Sequence, residues 1–243
     1  GCIGTPLGSA VVTINPSLSL TLSGTNVACY GDSNGAIDLS VAGGTAPFSY
    51  AWSGPAGYTA GVQDISGLQA GYYSVVVTDS KGCTASGNIT ITQPVQLTLS
   101  STGNIALLCN GATTGAGSFT AAGGTAPYTF NIVANNTGAT LTTAATSASF
   151  TGAGAGTLTV RVTDAHNCTA ESTVTVTQPP ALSLTATSTN ISCFGGNNGT
   201  IVTSVTGGTA PYLYAWTVSG GGSGITAGAP NQGALTAGTY EVT

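Results

Sequence analysis

The sequence has very few charged side chains. Only 4% of its 243 residues are Asp, Glu, Lys or Arg, whereas soluble globular proteins average about 25%. The two basic residues, Lys81 and Arg161, cannot form the basic face that binds phosphate backbones or anionic lipid headgroups. This scarcity of charge excludes nucleic-acid binding and binding to anionic membranes.

Histidine and long apolar runs are also scarce. His166 is the one histidine, and apolar runs such as Ile105 to Leu108 are short. A membrane-spanning helix needs about 20 apolar residues, so we expect no membrane insertion. General acid–base and nucleophilic catalysis need paired carboxylates or a base, and calcium needs several oxygen ligands in one loop. No segment supplies such a set, so we predict no catalytic residues, no metal site, no cofactor and no enzymatic activity.

A pentapeptide, Gly-Gly-Thr-Ala-Pro, recurs at residues 43–47, 123–127 and 207–211, at spacings of 80 and 84 residues. The cysteines keep nearly the same step in an early class and a late class: Cys29, Cys109 and Cys193, and Cys2, Cys83 and Cys168. This period is too long for one turn of a solenoid. It suits small domains joined in a tandem array.

The repeated motifs divide the chain into four segments. Residues 1–16 contain only the last strand of a preceding repeat, 17–94 is repeat 1 and 95–179 is repeat 2. Residues 180–243 form repeat 3, which stops before its last strand, so the chain resembles a window cut from a longer array. The repeats end at Asn15-Pro16, Gln93-Pro94 and Gln178-Pro179. Proline at these junctions limits bending.

Apolar residues alternate along each repeat with the period of two that half-buried strands show. The clearest example is Phe48, Tyr50 and Trp52, which corresponds to Tyr212, Tyr214 and Trp216 in repeat 3. Helical spacing is missing. Short strands at this spacing, with an aromatic third strand, favour an all-β fold of tandem immunoglobulin-like β-sandwich repeats. The alternation places both tryptophans on the buried face.

Several motifs recur in fixed order. In repeat 1 they are Cys-x-Gly-x-x-x-Gly from Cys29, Gly-Gly-Thr-Ala-Pro-Phe from Gly43, Leu-x-Ala-Gly-x-Tyr from Leu68, Val-Thr-Asp-x-x-Gly-Cys from Val77, and Gln-Pro at Gln93. Looser copies follow in repeats 2 and 3. The pattern resembles the SprB-repeat family, found in large cell-surface adhesins of gliding and related Bacteroidetes that the type IX system secretes. The resemblance implies an extracellular, filamentous, cell-surface protein with no known catalytic residues.

Six cysteines without neighbouring histidines or acidic clusters are typical of disulfides in a secreted array. In an immunoglobulin-like repeat, the early and late cysteines lie at opposite ends, about 30 Å apart on strands rising about 3.3 Å per residue. Disulfide Cα atoms lie within about 7 Å. We therefore predict bonds across the repeat junctions, Cys29 to Cys168.

If disulfides form only across repeat junctions, the other four cysteines would pair with cysteines of repeats that lie outside this sequence. Cys2 and Cys83 would pair with a preceding repeat, and Cys109 and Cys193 with a following one. Bonds within a repeat, Cys29 to Cys83 and Cys109 to Cys168, remain an alternative, as do free thiols or other pairings.

The predicted function is mechanical. The chain would be the shaft of an extracellular adhesin or surface filament, whose partners are neighbouring repeats or copies of the same chain. Sparse charge would permit lateral packing into a fibre. The alternative is a carbohydrate-binding module that recognises surface polysaccharide through exposed aromatics such as Tyr58 or Tyr72.

Overall fold

The computed structural model describes residues 14–243, and β-strands form almost all of its regular structure. Repeat 1 contains seven strands and one short 3-10 turn, Pro55–Gly57. Its strands are β1 (Ser19–Thr25), β2 (Gly35–Ala42), β3 (Ser49–Ser53), β4 (Thr59–Ala60), β5 (Ile65–Leu68), β6 (Gly71–Thr78) and β7 (Thr84–Ile91).

Two sheets enclose the core of repeat 1. One sheet has the order β1-β2-β5 and the other has the order β4-β3-β6-β7. Leu39 of the first sheet and Trp52, Tyr73 and Val75 of the second are buried in one cluster between them. The alternation that predicted these strands arises because every second side chain enters this core.

Repeat 2 has the same two-sheet arrangement, with orders β12-β13-β10-β8 and β11-β14-β15-β9. The short β9 pairs with β15 in parallel, whereas β13 pairs with β10 and with β12 in antiparallel fashion. The strands are β8 (Thr98–Ser101), β9 (Ile105–Ala106), β10 (Gly115–Ala122), β11 (Thr129–Asn135), β12 (Thr140–Thr143), β13 (Ser147–Ala153), β14 (Gly156–Thr163) and β15 (Thr169–Thr177).

Repeat 3 has one complete sheet, β16-β17-β19, and a two-stranded sheet, β18-β20. The strands are β16 (Ser183–Thr189), β17 (Gly199–Thr206), β18 (Trp216–Ser219), β19 (Gln232–Leu235) and β20 (Thr239–Val242). The strand predicted over Tyr212, Tyr214 and Trp216 begins only at Trp216. The strand pairing stops at the same point, because Trp216 pairs with Val242, the last residue of β20.

The predicted fold class is confirmed: the described residues form immunoglobulin-like pairs of β-sheets. By its internal contacts the chain divides into two compact units. The first comprises the chain up to Thr98 together with Ala121–Thr129 and Val162–Ala170. The second comprises Leu99–Thr120, Phe130–Arg161 and Glu171–Thr243. The Gly-Gly-Thr-Ala-Pro loop of repeat 2 and its late cysteine therefore belong to the first unit.

Candidate functional site: the repeat junctions

The first junction joins repeat 1 to repeat 2 and lies within the first compact unit. It consists of the loop at Cys29–Gly31, the linker 93–97, the Gly-Gly-Thr-Ala-Pro loop 123–127 and the hairpin 164–168. The second junction joins repeat 2 to repeat 3 and lies within the second compact unit. It consists of residues 107–111, the linker 178–182 and the loop 207–211.

Glycine lets each linker lie directly against the loop that follows it. Gly123 has a φ of +72°, and a Cβ added there would collide with the carbonyl oxygen of Gln96. The next glycine, Gly124, donates its amide to the carbonyl oxygen of Val95 at 2.7 Å. In the second junction, Gly208 donates to the carbonyl oxygen of Pro180 at 2.9 Å. The glycines of the pentapeptide therefore set the main-chain path through both junctions.

A glutamine side chain holds the other side of each linker. The Gly31 amide donates to Gln93 Oε1 at 2.8 Å, and the Gly111 amide donates to Gln178 Oε1 at 2.8 Å. In the sequence these two glutamines mark the ends of repeats 1 and 2. The glycine that recurs two residues after each early cysteine, Gly31 and Gly111, is the sequence feature that could have indicated this hydrogen bond.

Asp164 connects the late hairpin of repeat 2 to the pentapeptide loop. Its Oδ1 accepts the amides of His166 and Cys168, both at 2.9 Å, and its Oδ2 accepts the Thr125 amide at 2.8 Å. Burial opposes ionisation of Asp164, but these amides and nearby His166 hold the pKa of its carboxyl below the ordinary value. The carboxylate thus binds two loops together in its charged form.

Asp79 has the same role in repeat 1. It accepts the amides of Lys81, Cys83 and Thr45 at 2.8–3.0 Å. Asn15 donates Nδ2 to Asp79 Oδ2 at 2.8 Å, and this bond is the main reason that the pKa of the Asp79 carboxyl is lowered. Asn15 and Gln93 both precede the proline at the end of a repeat, but Asn15 binds Asp79 whereas Gln93 binds the Gly31 amide.

The structure brings Cys29 and Cys168 together in a disulfide across the first junction, with their Cα atoms 5.6 Å apart. These two cysteines are 139 residues apart in the sequence. Leu97 of the linker is only 8% exposed and lines the same small pocket as Cys29 and Cys168. A Cβ added at Gly124 would lie 3.1 Å from its Cδ1 atom. A covalent bond, a carboxylate and a buried leucine therefore meet at one junction.

The other cysteines of residues 14–243 have no disulfide partner among those residues. Cys83, Cys109 and Cys193 are exposed. The within-repeat pairings of Cys29 with Cys83 and of Cys109 with Cys168 are absent from this part of the chain, because Cys29 and Cys168 bond to each other. Cys2 lies outside the described residues.

The second junction lacks a covering hairpin in the described structure. Leu182, which corresponds to Leu97, is 62% exposed, and Leu108 is 82% exposed. Leu108, Cys109, Leu182 and Leu213 line an open groove of about 670 Å³. The Thr209 hydroxyl donates to the carbonyl oxygen of Leu108 at 3.5 Å, the limit of a hydrogen bond.

The two tyrosines predicted to contact glycans, Tyr58 and Tyr72, lie on different sides of the strand β6. Tyr72 is 58% exposed on β6. Tyr58 packs edge-on against the buried Tyr73, with ring centroids 5.6 Å apart. Because neighbouring strand residues point to opposite faces, the structure does not bring Tyr58 and Tyr72 together as one platform. Burial of Tyr73, with a smaller contribution from Tyr58, raises the pKa of its hydroxyl.

The tryptophans differ in burial. Trp52 is buried and donates Nε1 to the carbonyl oxygen of Val62 at 2.9 Å, while Trp216 is half-buried and donates to that of Ala229 at 2.9 Å. Core packing, the predicted role, is therefore complete for Trp52 and partial for Trp216.

Residues 14–243 contain no group of three or more His, Cys, Asp or Glu side chains arranged to hold a metal ion. Within the same range, no helix has the length and apolar character needed to cross a membrane.

The paired sheets and cross-linked loops define a β-sandwich protein of the immunoglobulin-like class. The family model of the SprB repeat matches residues 17–57 and 185–221. These two matches agree with the resemblance to the SprB-repeat family that the motif pattern indicated. No curated protein matches the chain by sequence.

Several solved adhesion and receptor-binding proteins are similar to the chain in fold. The human desmocollin-1 ectodomain is 13% identical, with 54% of this chain and 30% of that one aligned and a TM-score of 0.32. The C-terminal 282-residue fragment of intimin, solved with the intimin-binding domain of its translocated receptor, is 18% identical, with 68% and 66% aligned and a TM-score of 0.38. The chain spans less than two thirds of these proteins' fragments.

The N-terminal eight Ig domains of Down Syndrome Cell Adhesion Molecule are 11% identical, with 94% of this chain and 42% of that one aligned and a TM-score of 0.32. At such identities the likeness concerns the fold alone. The two SprB-repeat matches support an extracellular, adhesin-like role.

Proposed function

We propose that the chain is part of the structural shaft of an extracellular adhesin or surface filament. Residues 17–94, 95–179 and 180–243 would be successive sandwich domains of this shaft. Its work is mechanical, because a stiff array holds an adhesive part away from the cell surface. The observation that carries the proposal is the Cys29–Cys168 disulfide, which crosses from one repeat to the next.

Three further contacts support stiffness at the first junction. Gln93 and Val95 fix the linker to the loops on either side, through the amides of Gly31 and Gly124. Leu97 is buried against the second loop. Bending there would have to break these contacts together, and the disulfide would still limit the separation of the two loops.

Single-particle electron microscopy tests this stiffness. The spread of bend angles at the first junction is measured for the oxidised chain and for the Cys29→Ser, Cys168→Ser double variant. We expect a clearly wider spread in the double variant, while Cys109→Ser, which removes an exposed thiol, leaves the spread unchanged. Equal spreads in the chain and the double variant would contradict a shaft that depends on this junction.

Lateral packing of neighbouring shafts is the second part of the proposal. With 4% charged residues, the chains repel one another little, and exposed apolar residues such as Val76 and Val202 lie on sheet faces. We expect bundles whose formation changes little between about 0.05 and 1 M salt, because only screened charge responds strongly to salt. Strictly monomeric chains at every salt concentration would contradict lateral packing.

A carbohydrate-binding surface module is the alternative, and the exposure of Tyr72 favours it. An exposed aromatic ring on a sheet can stack on a sugar face. A glycan array with the intact chain and a Tyr72→Ala variant distinguishes the two functions. Specific binding that Tyr72→Ala abolishes supports the module, and no binding by either protein supports the shaft.

A further inference from the structure

One sheet of repeat 2 has a long uncovered edge. In the sheet β11-β14-β15-β9, β11 is an outermost strand and pairs only with β14 among the described strands. It is seven residues long, whereas β4, the strand at the corresponding edge of repeat 1, has two residues. The outer edge of β11 therefore offers a row of main-chain N–H and C=O groups to which another strand can add.

Repeat 1 shows what covers the equivalent edge. There β3 corresponds to β11, and β4 lies against β3 with Ala60 opposite Trp52. Trp52 is 2% exposed. Ile132 holds the position of Trp52 in repeat 2 and is 40% exposed. The chain after β11 continues to β12 in the other sheet, so repeat 2 supplies no strand of its own to this edge.

The sequence of β11 lacks the features that usually protect a strand edge. It reads Thr-Phe-Asn-Ile-Val-Ala-Asn, with no charged residue and no proline, whereas lysine or proline commonly blocks pairing at an edge. Ile132 and Val133 are exposed at its centre. The charged side chains of the neighbouring strands, Arg161 of β14 and Glu171 of β15, pair with each other. No net charge on these strands therefore repels a second edge of the same kind.

We propose that β11 pairs in antiparallel fashion with β11 of a second copy of the chain, about a twofold axis at Ile132. The proposal rests on the proposed function, since it assigns lateral packing to one edge of repeat 2. The partner's strand covers Ile132 as β4 covers the corresponding tryptophan in repeat 1. This register sets Ile132 opposite its own copy, Phe130 opposite Ala134, and Asn131 opposite Val133.

The chemistry of this register favours a second copy of the chain as the occupant. The two apolar isoleucines meet at the axis, and the large Phe130 meets the small Ala134, so the core-facing side of the joined sheet stays apolar. A twofold contact uses the same edge on both molecules and is closed. It therefore joins two chains side by side and leaves no further β11 edge exposed.

A single contact of this kind is weak. Two paired strands of about 24 Å cover only a narrow strip of each molecule, far less than the roughly 1,200–2,000 Å² of a standard interface. We therefore expect a reversible dimer of one chain. The contact becomes firmer where several edges of neighbouring shafts engage together, because each pairing raises the effective concentration for the next.

Sedimentation velocity from about 1 μM to 1 mM chain tests the contact. To exclude chance disulfides, every protein in the test carries serine in place of Cys2, Cys83, Cys109 and Cys193. We expect a dimer that grows with concentration. Val133→Lys should weaken it by about tenfold or more, because an edge lysine opposes strand pairing. Circular dichroism melting checks that the variant keeps its fold.

Val76→Lys is the matched control. Val76 is 44% exposed and Val133 is 48% exposed, but Val76 lies on β6, which has a strand on either side. The control should dimerise like the parent chain. Dimers that Val76→Lys abolishes and Val133→Lys preserves would show packing between sheet faces. That result, or a parent chain that is monomeric throughout the concentration range, would overturn the edge proposal.

Cross-linking tests the register independently of the lysine variants. Ile132→Cys should give a disulfide-linked dimer on oxidation with glutathione disulfide, because the two cysteines lie directly opposite each other. Thr129→Cys should link at least about tenfold more slowly, since this register separates it from its own copy by about 20 Å along the strand. Equal rates would contradict pairing about Ile132.

Failure of this proposal is distinguishable from failure of the shaft. The bend-angle measurement at the first junction concerns Cys29 and Cys168 of one chain and does not involve β11. A chain with a narrow spread of bend angles that never dimerises would retain the shaft and overturn the edge contact.

Discussion

The two junctions have the same main-chain connections but different coverings. In both, a glycine amide donates to the side-chain oxygen of the linker's glutamine at 2.8 Å, and a second glycine amide donates to a main-chain carbonyl oxygen of the same linker. Leu97 is nevertheless buried while its counterpart Leu182 is 62% exposed. The linker and the pentapeptide therefore set the path of the main chain at both junctions. The hairpin of residues 164–168, with Asp164 and Cys168, covers only the first one.

The largest expected loss of stability comes from replacing the tryptophan of repeat 1, and it should exceed the loss from the same change in repeat 3. Trp52→Ala should lower the free energy of unfolding by about 3–5 kcal/mol, the usual cost of removing a buried tryptophan. Trp216→Ala should cost about 1–2 kcal/mol, because its ring is only half-buried. Urea denaturation followed by circular dichroism measures both. Equal losses would show that repeat 3 buries its tryptophan as fully as repeat 1.

The next effect concerns the covalent bond of the first junction. Replacing Cys29 and Cys168 together by serine should destabilise the first compact unit by about 2–5 kcal/mol, because the bond closes a long loop in the unfolded chain. The matched control, Cys109→Ser with Cys193→Ser, should leave its melting temperature unchanged. A control that destabilises the unit equally would remove the distinction between the two junctions.

The carboxylate of the first junction gives a smaller effect that depends on pH. Asp164→Ala should cost about 1–3 kcal/mol, because three amides lose a charged acceptor. The exposed Glu171→Ala, which loses one surface ion pair with Arg161, should cost at most about 1 kcal/mol. Chemical denaturation at pH 7 measures both variants. Similar losses for the two would mean that Asp164 does not join the loops.

The pH dependence follows from the lowered pKa values of Asp79 and Asp164. An unfolded aspartate titrates near pH 4, so these carboxylates stabilise the first unit fully above that pH. The stabilisation is lost as pH falls through the lower folded-state pKa values. Thermal melting from pH 7 to pH 2 should show this loss, and the Asp79→Ala, Asp164→Ala double variant should show a flatter profile. A wild-type profile that is flat over this range would contradict the assignment.

The smallest effect is one that the two junctions should share. Gln93→Ala and Gln178→Ala each remove one hydrogen bond to a glycine amide, which costs about 0.5–1.5 kcal/mol. Equal small losses in melting measurements would support a common linker geometry. A much larger loss for Gln93→Ala would indicate that this glutamine also supports the disulfide loop.

Much of the fold was readable from the sequence, because strand alternation and the repeated pentapeptide report local geometry directly. The third strand of repeat 1, which contains Tyr50 and Trp52, followed from such a pattern. The bond from Asp164 to Thr125 did not, since it joins segments 39 residues apart. Likewise, the strand predicted at Tyr212 begins only at Trp216, which pairs with Val242 at the end of β20.

The part of the candidate site that could be predicted is the cysteine pairing, because covalent geometry restricts which cysteines can meet. The length of a strand excludes most cysteine pairings, which left Cys29 and Cys168 as the favoured pair. Leu97 is buried beside the hairpin of residues 164–168, whereas the described part of repeat 3 has no such hairpin beside its exposed counterpart Leu182. What covers a side chain is a property of distant residues.

Non-reducing peptide mapping of the native chain tests the central claim most directly. The account predicts one linked pair of peptides that contains Cys29 and Cys168, with Cys109 and Cys193 recovered as alkylated thiols. A linked pair that contains Cys29 and Cys83 would place the bond within a repeat, and it would contradict a shaft whose repeats are covalently joined.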